Sequence, residues 1–370
     1  MSAWGKRPDM LVHQQEPFNA EPPAAALAGR PRTATDTFYS RNHGPVPEID
    51  PATWHLEVGG LVERSLRLGL EELRQSFAEH TLPATLQCAG NRRAGLLAVR
   101  DLPGEVPWHG GATSTATWTG VRLADVLTLA GPLPTARHVC FDAPDVSPSA
   151  HPPQAYSASV PLAKATAPEV LLAWAMNGEP LTPLHGAPLR VVVPGWIGAR
   201  SVKWLTRLTV SAEPSPGYYQ AVAYRLLPPD ADPRTAPPGA GPALGPVALN
   251  CEVLAPEDGA AVDDGPLHVT GYAYAGDDRV VVRVDVSADG GRTWAQADLD
   301  APDGPWTWQH WRLTVDPPSG AGEVEVVARA WDDTGALQPA HAADLWNPKG
   351  YVNNSWARVR LRRAAASPAG

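Results

Sequence analysis

Apolar and polar residues alternate along Trp54-His55-Leu56-Glu57-Val58, which predicts a strand closed by Gly59-Gly60. Leu70, Leu73 and Phe77 recur at helical spacing, so Leu70–Ala78 is expected to be a helix, and Leu123–Leu129 a second. Thr85-Leu86-Gln87-Cys88 reads as a short strand running into a Gly-Asn turn, and Val139–Asp142 and Leu189–Val193 as buried strands. The apolar run Glu169–Met176 is expected to be a further helix. Short strands mixed with short helices, without a regular βαβ period, imply an α+β domain.

The pattern then changes. Residues 226–246 are rich in Pro, Gly and Ala and read as a linker. Beyond it, Leu267–Tyr274, Val280–Ser287, Trp311–Val315 and Val324–Trp331 alternate as strands, and Asp289-Gly290-Gly291 supplies a hairpin turn. Such spacing predicts an all-β immunoglobulin-like sandwich over 247–364. Ser287-x-Asp289-x-Gly291-x-Thr293-Trp294 resembles an Asp-box, a hairpin stabiliser. Trp306, Trp308 and Trp311 are either exposed markers of a dimer face or core residues. Residues 1–30 are expected to be a flexible segment, with order beginning near Thr37 and the first domain spanning 31–225.

Composition narrows the function. The chain has 370 residues, a hydrophobic share of 44% and a net charge of −9. An acidic chain without a clustered basic face argues against nucleic acid as partner. An anionic substrate stays open, because a local pocket can be positive in an acidic protein. No apolar run approaches the roughly 20 residues that span a bilayer. The N-terminus reads as neither a Sec nor a twin-arginine leader, so a cytoplasmic location away from the membrane is expected.

The three cysteines, Cys88, Cys140 and Cys251, form neither a CxxC pair nor a disulfide framework. Cys140 and Cys251 read as packing residues. Cys88 lies in LQCAGNRR, where a small turn exposes the thiol and Arg92 and Arg93 follow. Nearby positive charge favours the thiolate, the form a soft metal requires. From this segment alone Cys88 is a metal ligand, a nucleophile, a redox sensor or an inert core residue. Three more segments gather anion donors: Arg41-Asn42-His43 in a Pro/Gly-shaped loop, His185-Gly186 before Arg190 in an apolar strand, and Gly198-Ala199-Arg200-Ser201-Val202-Lys203. Glycine amides with Arg and Lys suit a phosphate. No GxGxxG or P-loop motif accompanies them, which points to an unusual phosphorylated cofactor.

The segments LQCAGNRR, RNHGPVP, MNGEPLTPLHGAPLRVVVPG and GARSVKWL resemble the molybdopterin-binding domain of the sulfite oxidase family, in its bacterial haem-free form. LWNPKGYVNNSWARVRL resembles the end of that family's immunoglobulin-like dimerisation domain. The likeness covers about 37–225 and 247–362. It implies a molybdenum–molybdopterin cofactor in its pterin dithiolene form, with Cys88 ligating the metal. It implies cofactor contacts from Tyr39, Ser40, Arg41, Asn42, His43, Asp145, His185, Arg190, Ser201, Val202 and Lys203. It implies active-site roles for Arg41, Arg93, Trp108 and Tyr224. Lys349 stands where the family has an arginine; it keeps the charge and loses the planar fork. The expected activity is oxidation of sulfite or a related small oxyanion by oxygen-atom transfer, in a homodimer. Electrons are expected to leave for a separate acceptor, a cytochrome or oxygen, since the N-terminal segment is too short for a haem domain. The alternatives are a nitrate-reductase-type enzyme of the same family and a non-catalytic immunoglobulin-like interaction protein.

Overall fold

The alternating run at residue 55 becomes the strand His55–Gly60, with Leu56 and Val58 turned into the core. In the computed structural model, which describes residues 3–318 and 322–363, it sits in a five-stranded sheet. The strand order is Leu66–Gly69, His55–Gly60, Arg207–Ser211, His138–Ser147, Gln154–Pro161. Only His55–Gly60 with Arg207–Ser211 is a parallel pair in this sheet. A second sheet orders Glu179–Pro180, Leu171–Met176, Thr113–Arg122 and Glu79–Gln87, with Arg190–Val192 also on Leu171–Met176. The expected helices appear as Leu70–Ser76 and Leu123–Ala130. One apolar cluster joins Leu56, Leu73, Leu127, Phe141, Leu172 and Val191 across both sheets and helices.

Two expectations are corrected. Leu171–Met176 is a strand, not part of a helix. It has strands on both sides and buries Leu171, Leu172, Ala173, Trp174 and Met176, so both faces are apolar and the period-two signature vanishes. A short apolar run of this kind reads alike as buried helix or buried strand. The N-terminal segment is also built into the domain. Leu11–Gln14 pairs with Asn19–Glu21, and Phe18, Asn19, Ala20 and Glu21 are buried. The Glu21 carboxylate accepts hydrogen bonds from the amides of His109 (2.7 Å) and Gly111 (2.8 Å) and lies 2.8 Å from His13 Nε2. Composition alone does not register such long-range satisfaction of a buried charge.

Between the π-helical turn Tyr219–Ala223 and the strand Asn250–Ala255 no named strand or helix forms. This connection is nevertheless tied down. Arg225 donates to the carbonyls of Gly239 and Ala240, and Arg200 to that of Leu244 at 2.8 Å. The second domain is a sandwich of two sheets. One orders Asn250–Ala255, Leu267–Tyr274, Gln309–Val315 and Asp298–Leu299. The other orders Ala261–Val262, Ala357–Arg363, Glu323–Asp332, Val281–Ser287 and Ala295–Gln296. Asp289 caps its hairpin by accepting from the amides of Arg292 and Thr293 and from Thr293 Oγ1, as an Asp-box should. Trp308 and Trp311 are buried and Trp306 half-buried, so these indoles pack inside the chain rather than on an exposed face. Cys140 and Cys251 are buried free thiols within strands.

The seam between the domains is polar and dense. Arg92, held at φ 64°, pairs with Glu252 at 2.7 Å and donates to the Ser355 carbonyl at 2.6 Å. The Trp308 amide donates to Thr85 Oγ1 at 2.8 Å. The C-terminal run returns to the first domain: the Val352 amide donates to the Ala89 carbonyl (2.9 Å), and Asn353 Nδ2 to the Arg92 carbonyl (2.7 Å).

Candidate active site

The strand Glu79–Gln87 ends where Cys88 begins its turn, and that turn opens into a pocket of about 660 Å³. The Cys88 amide is held by the Ala112 carbonyl, and its Sγ accepts one hydrogen bond, from the Gly90 amide at 3.4 Å. The pocket wall brings together Tyr39, Ser40, Arg41, Asn42, His43, Cys88, Asp145, His185, Arg190, Ser201, Val202, Lys203 and Tyr224. These residues come from five separate stretches, 39–43, 88, 145, 185–203 and 224, and only folding places them around one space. Gly198 sits on the same wall, where a Cβ would lie 2.8 Å from the Tyr39 hydroxyl oxygen.

The wall is cationic and short of counter-charge. Among the described residues, none of Lys6, Arg41, Arg190, Arg200 or Lys203 has a carboxylate within 4.0 Å, and the pairs found nearby belong to other cations. Arg190 donates to the carbonyls of His185 and Ser201, both at 3.0 Å, and burial draws its pKa down to about 10. Lys203 donates to the carbonyls of Arg41 and Leu184 and to Asn42. Burial, then the neighbouring Arg190, holds its pKa well below the usual lysine range. Lys6, from the N-terminal segment, is buried 2.7 Å from His185 Nε2, and burial brings it to about 7. Asp145 is pushed up to about 7 by burial, against the pull of Lys203. Desolvated cations of this kind are costly until an anion joins them.

His43 Nε2 lies 2.7 Å from the Tyr224 hydroxyl. Burial, with Arg41 and Lys203 nearby, keeps His43 neutral, and burial raises the Tyr224 pKa, so the two share this hydrogen bond as neutral imidazole and protonated phenol. Arg41 is the guanidinium that feels Cys88. Burial opposes its charge, yet Tyr224 and Cys88 around it raise its pKa above the ordinary value. The arginines following Cys88 in sequence do not take that place. Arg92 faces the second domain, and Arg93 donates to the carbonyls of Val106 (2.9 Å) and Gly350 (3.1 Å) and pairs with Glu105 (3.4 Å). Sequence proximity therefore misassigned the cation beside the thiol.

Arg93, Lys349 and Trp108 do not line this pocket. Lys349 Nζ pairs with Glu105 at 2.5 Å. Trp108 is fully buried against His13, ring centroids 4.9 Å apart, with no partner for its Nε1. Arg93 reaches the pocket indirectly: it lies over the Tyr351 ring, which stacks on Tyr224 at 5.3 Å. The sequence reading missed Lys6, Tyr156 and Tyr219. Tyr156 and Tyr219 stack at 4.8 Å, and His43 packs on Tyr219 at 4.1 Å. The cluster YYQAVAY at 218–224 was the available signal for Tyr219.

Among the described residues no group of three His, Cys, Asp or Glu is placed to hold a metal. A metal at Cys88 must therefore arrive with its own chelate. The donor set fits such a group: one soft thiol, cations with no carboxylate within 4.0 Å among the described residues, and the buried Ser40 Oγ and Asp145 Oδ1 with no partner among them.

Known proteins give the same answer. The family profile described as Oxidoreductase molybdopterin binding domain matches residues 43–219. The Mo-co oxidoreductase dimerisation domain matches 244–364, the last position lying outside the described residues. The chain belongs to the sulfite oxidase family. It is 46% identical to the sulfite oxidase of Gallus gallus over 95% of this chain and 78% of that protein. It is 39% identical to the sulfite oxidase of Arabidopsis thaliana over 96% of this chain and 95% of that protein. The sulfane dehydrogenase SoxCD from Paracoccus pantotrophus superposes with a TM-score of 0.78 at 27% identity, covering 94% of this chain and 85% of that one. The family's cofactor, molybdenum–molybdopterin, is the group this pocket is built for.

Proposed function

We propose that this protein oxidises sulfite to sulfate and passes the electrons to a separate acceptor. The observation that carries the reading is a lone pocket thiol, Cys88, sharing one wall with the Arg41 guanidinium and the His43–Tyr224 pair, where Arg41, Arg190 and Lys203 have no carboxylate within 4.0 Å among the described residues. Cys88 would hold the metal. His185, Arg190, Ser201 and Lys203 would hold the pterin phosphate, which the cationic wall attracts and the buried main chain orients. The chemistry supplied by the bound cofactor is oxygen-atom transfer, with uptake of the two electrons that leave sulfur.

The protein's part is binding and orientation. Arg41 draws an oxyanion towards Cys88, and the Tyr224 hydroxyl, kept protonated by burial, turns from His43 Nε2 to an oxyanion oxygen. Arg93 and Lys349 extend the positive field behind Tyr351. Sulfite gains one oxygen, supplied in the end by water, and two protons and two electrons are released. The dimerisation domain is proposed to pair two such chains.

The test is turnover on one molybdenum-replete preparation with sulfite plus ferricyanide, and separately with nitrate plus reduced viologen. Sulfite oxidation well above nitrate reduction supports the reading. The reverse ratio identifies a nitrate-reducing relative, and molybdenum-replete protein inert to both overturns the proposal.

A further inference from the structure

Arg93 and Lys349, which the family resemblance assigns to the substrate, stand off the pocket wall, Arg93 behind the Tyr351 ring, and share a single carboxylate. Glu105 Oε1 lies 2.5 Å from Lys349 Nζ, and Glu105 Oε2 lies 3.4 Å from an Arg93 terminal nitrogen. The cations come from different domains. Arg93 opens the short helix Arg93–Leu97, while Lys349 lies in the C-terminal run that returns over the first domain. Glu105 sits in the loop between that helix and the strand Thr113–Arg122. Burial opposes its charge, but Arg93 and then Lys349 hold its pKa below the usual value, so the carboxylate stays ionised.

The wall around Cys88 is different, since its cations have no carboxylate at this range. An anion reaching Arg93 and Lys349 must therefore compete with a group already there. Glu105 is only partly buried, its side chain 18% exposed, so the carboxylate has solvent to move into. The preceding Gly104, at φ +79°, has open space around it, which gives the loop a point of adjustment.

We infer that Glu105 is a specificity-determining residue: a built-in anion that occupies the Arg93–Lys349 pair and that the substrate oxyanion displaces. This rests on the sulfite reading for the name of the substrate, but not for the displacement itself. A dianion offers two charges in exchange for one carboxylate and displaces Glu105 more readily than a monoanion does. Glu105 thus sets both the affinity for the oxyanion and the preference for higher charge.

The test measures sulfate binding by calorimetry and the sulfite KM on the molybdenum-replete enzyme. Glu105→Gln is expected to tighten sulfate binding and lower the sulfite KM by roughly tenfold, since a competing charge has gone. Glu105→Asp, which keeps the charge, is expected to stay near the parent value. A folded Gln variant with unchanged or weaker sulfate binding overturns the inference. A crystal of the parent protein grown with sulfate gives a test that needs no variant. Sulfate between Arg93 and Lys349, with Glu105 swung away, supports displacement; an intact Glu105–Lys349 pair at saturating sulfate overturns it. Sulfate binding requires no turnover, so a parent enzyme inert to sulfite would sink the functional reading and leave this one standing.

Discussion

The cations of this protein fall into two regions that obey different electrostatic rules. Along the domain seam, Arg92, Arg93 and Lys349 each have a glutamate: Glu252 for the first, Glu105 for the others. Around the pocket, Arg41, Arg190 and Lys203 have carbonyls and amides but, among the described residues, no carboxylate within 4.0 Å. Both regions are largely buried and pay a desolvation cost for their charge. At the seam that cost is offset within the chain. In the pocket it is left for a ligand to offset, which is what a preorganised anion site requires. Location in the sequence does not separate the two kinds, since Arg92 and Arg93 directly follow the pocket turn. Their partners do.

The sharpest way to break this contrast is to remove the thiol that gives the pocket its purpose. Cys88→Ser is expected to cost more than about 100-fold in sulfite turnover per bound molybdenum, because even outer partners of a metal ligand cost about 10–100-fold. Steady-state rates normalised to elemental analysis check it, and a parental rate per bound metal in the variant removes Cys88 as ligand. Next comes the seam. Arg92→Ala strands Glu252 and is expected to destabilise the protein by about 3 kcal/mol, equally with and without cofactor. Denaturant unfolding of both forms measures this.

Arg190→Ala sharpens the contrast from the other side. Retained pterin is expected to fall by about 30-fold, the low end of losing a buried charge partner. The melting temperature of cofactor-free protein should hold or rise, since an uncompensated cation has gone. A fall like that of Arg92→Ala would place Arg190 with the seam. Lys6 sharpens the contrast through pH rather than through ligand. Its folded pKa of about 7 lies below the ordinary 10.5, so between those values the unfolded chain binds more protons. Stability of the cofactor-free protein therefore rises from pH 7 towards pH 10. Thermal melts across that range test the slope, and Lys6→Met is expected to flatten it.

How far all this could be read from the chain depends on whether the signal is local. RNH, LQC and GARSVK carry their chemistry in neighbouring residues, and each placed its side chains on the pocket wall. The strands of the sandwich were legible because one face is wet and the other dry. Leu171–Met176 was not, because strands on both sides erase the alternation. Lys6 and Glu21 were invisible for a related reason. Their partners, His185 and the amides of His109 and Gly111, lie far along the chain, so nothing in a composition-biased N-terminus betrays them. Glu105 escaped for the same cause: its meaning appears only when Lys349 returns from the other domain.

That return has a consequence for how the molecule can come apart. Val352 and Asn353 bond the backbone of Ala89 and Arg92, one residue either side of the Gly90-Asn91 corner that follows the Cys88 thiol. A protease that cuts the Pro-rich connection would therefore release nothing. The two fragments should elute together and keep working, and parting them should require conditions that also dismantle the cysteine loop.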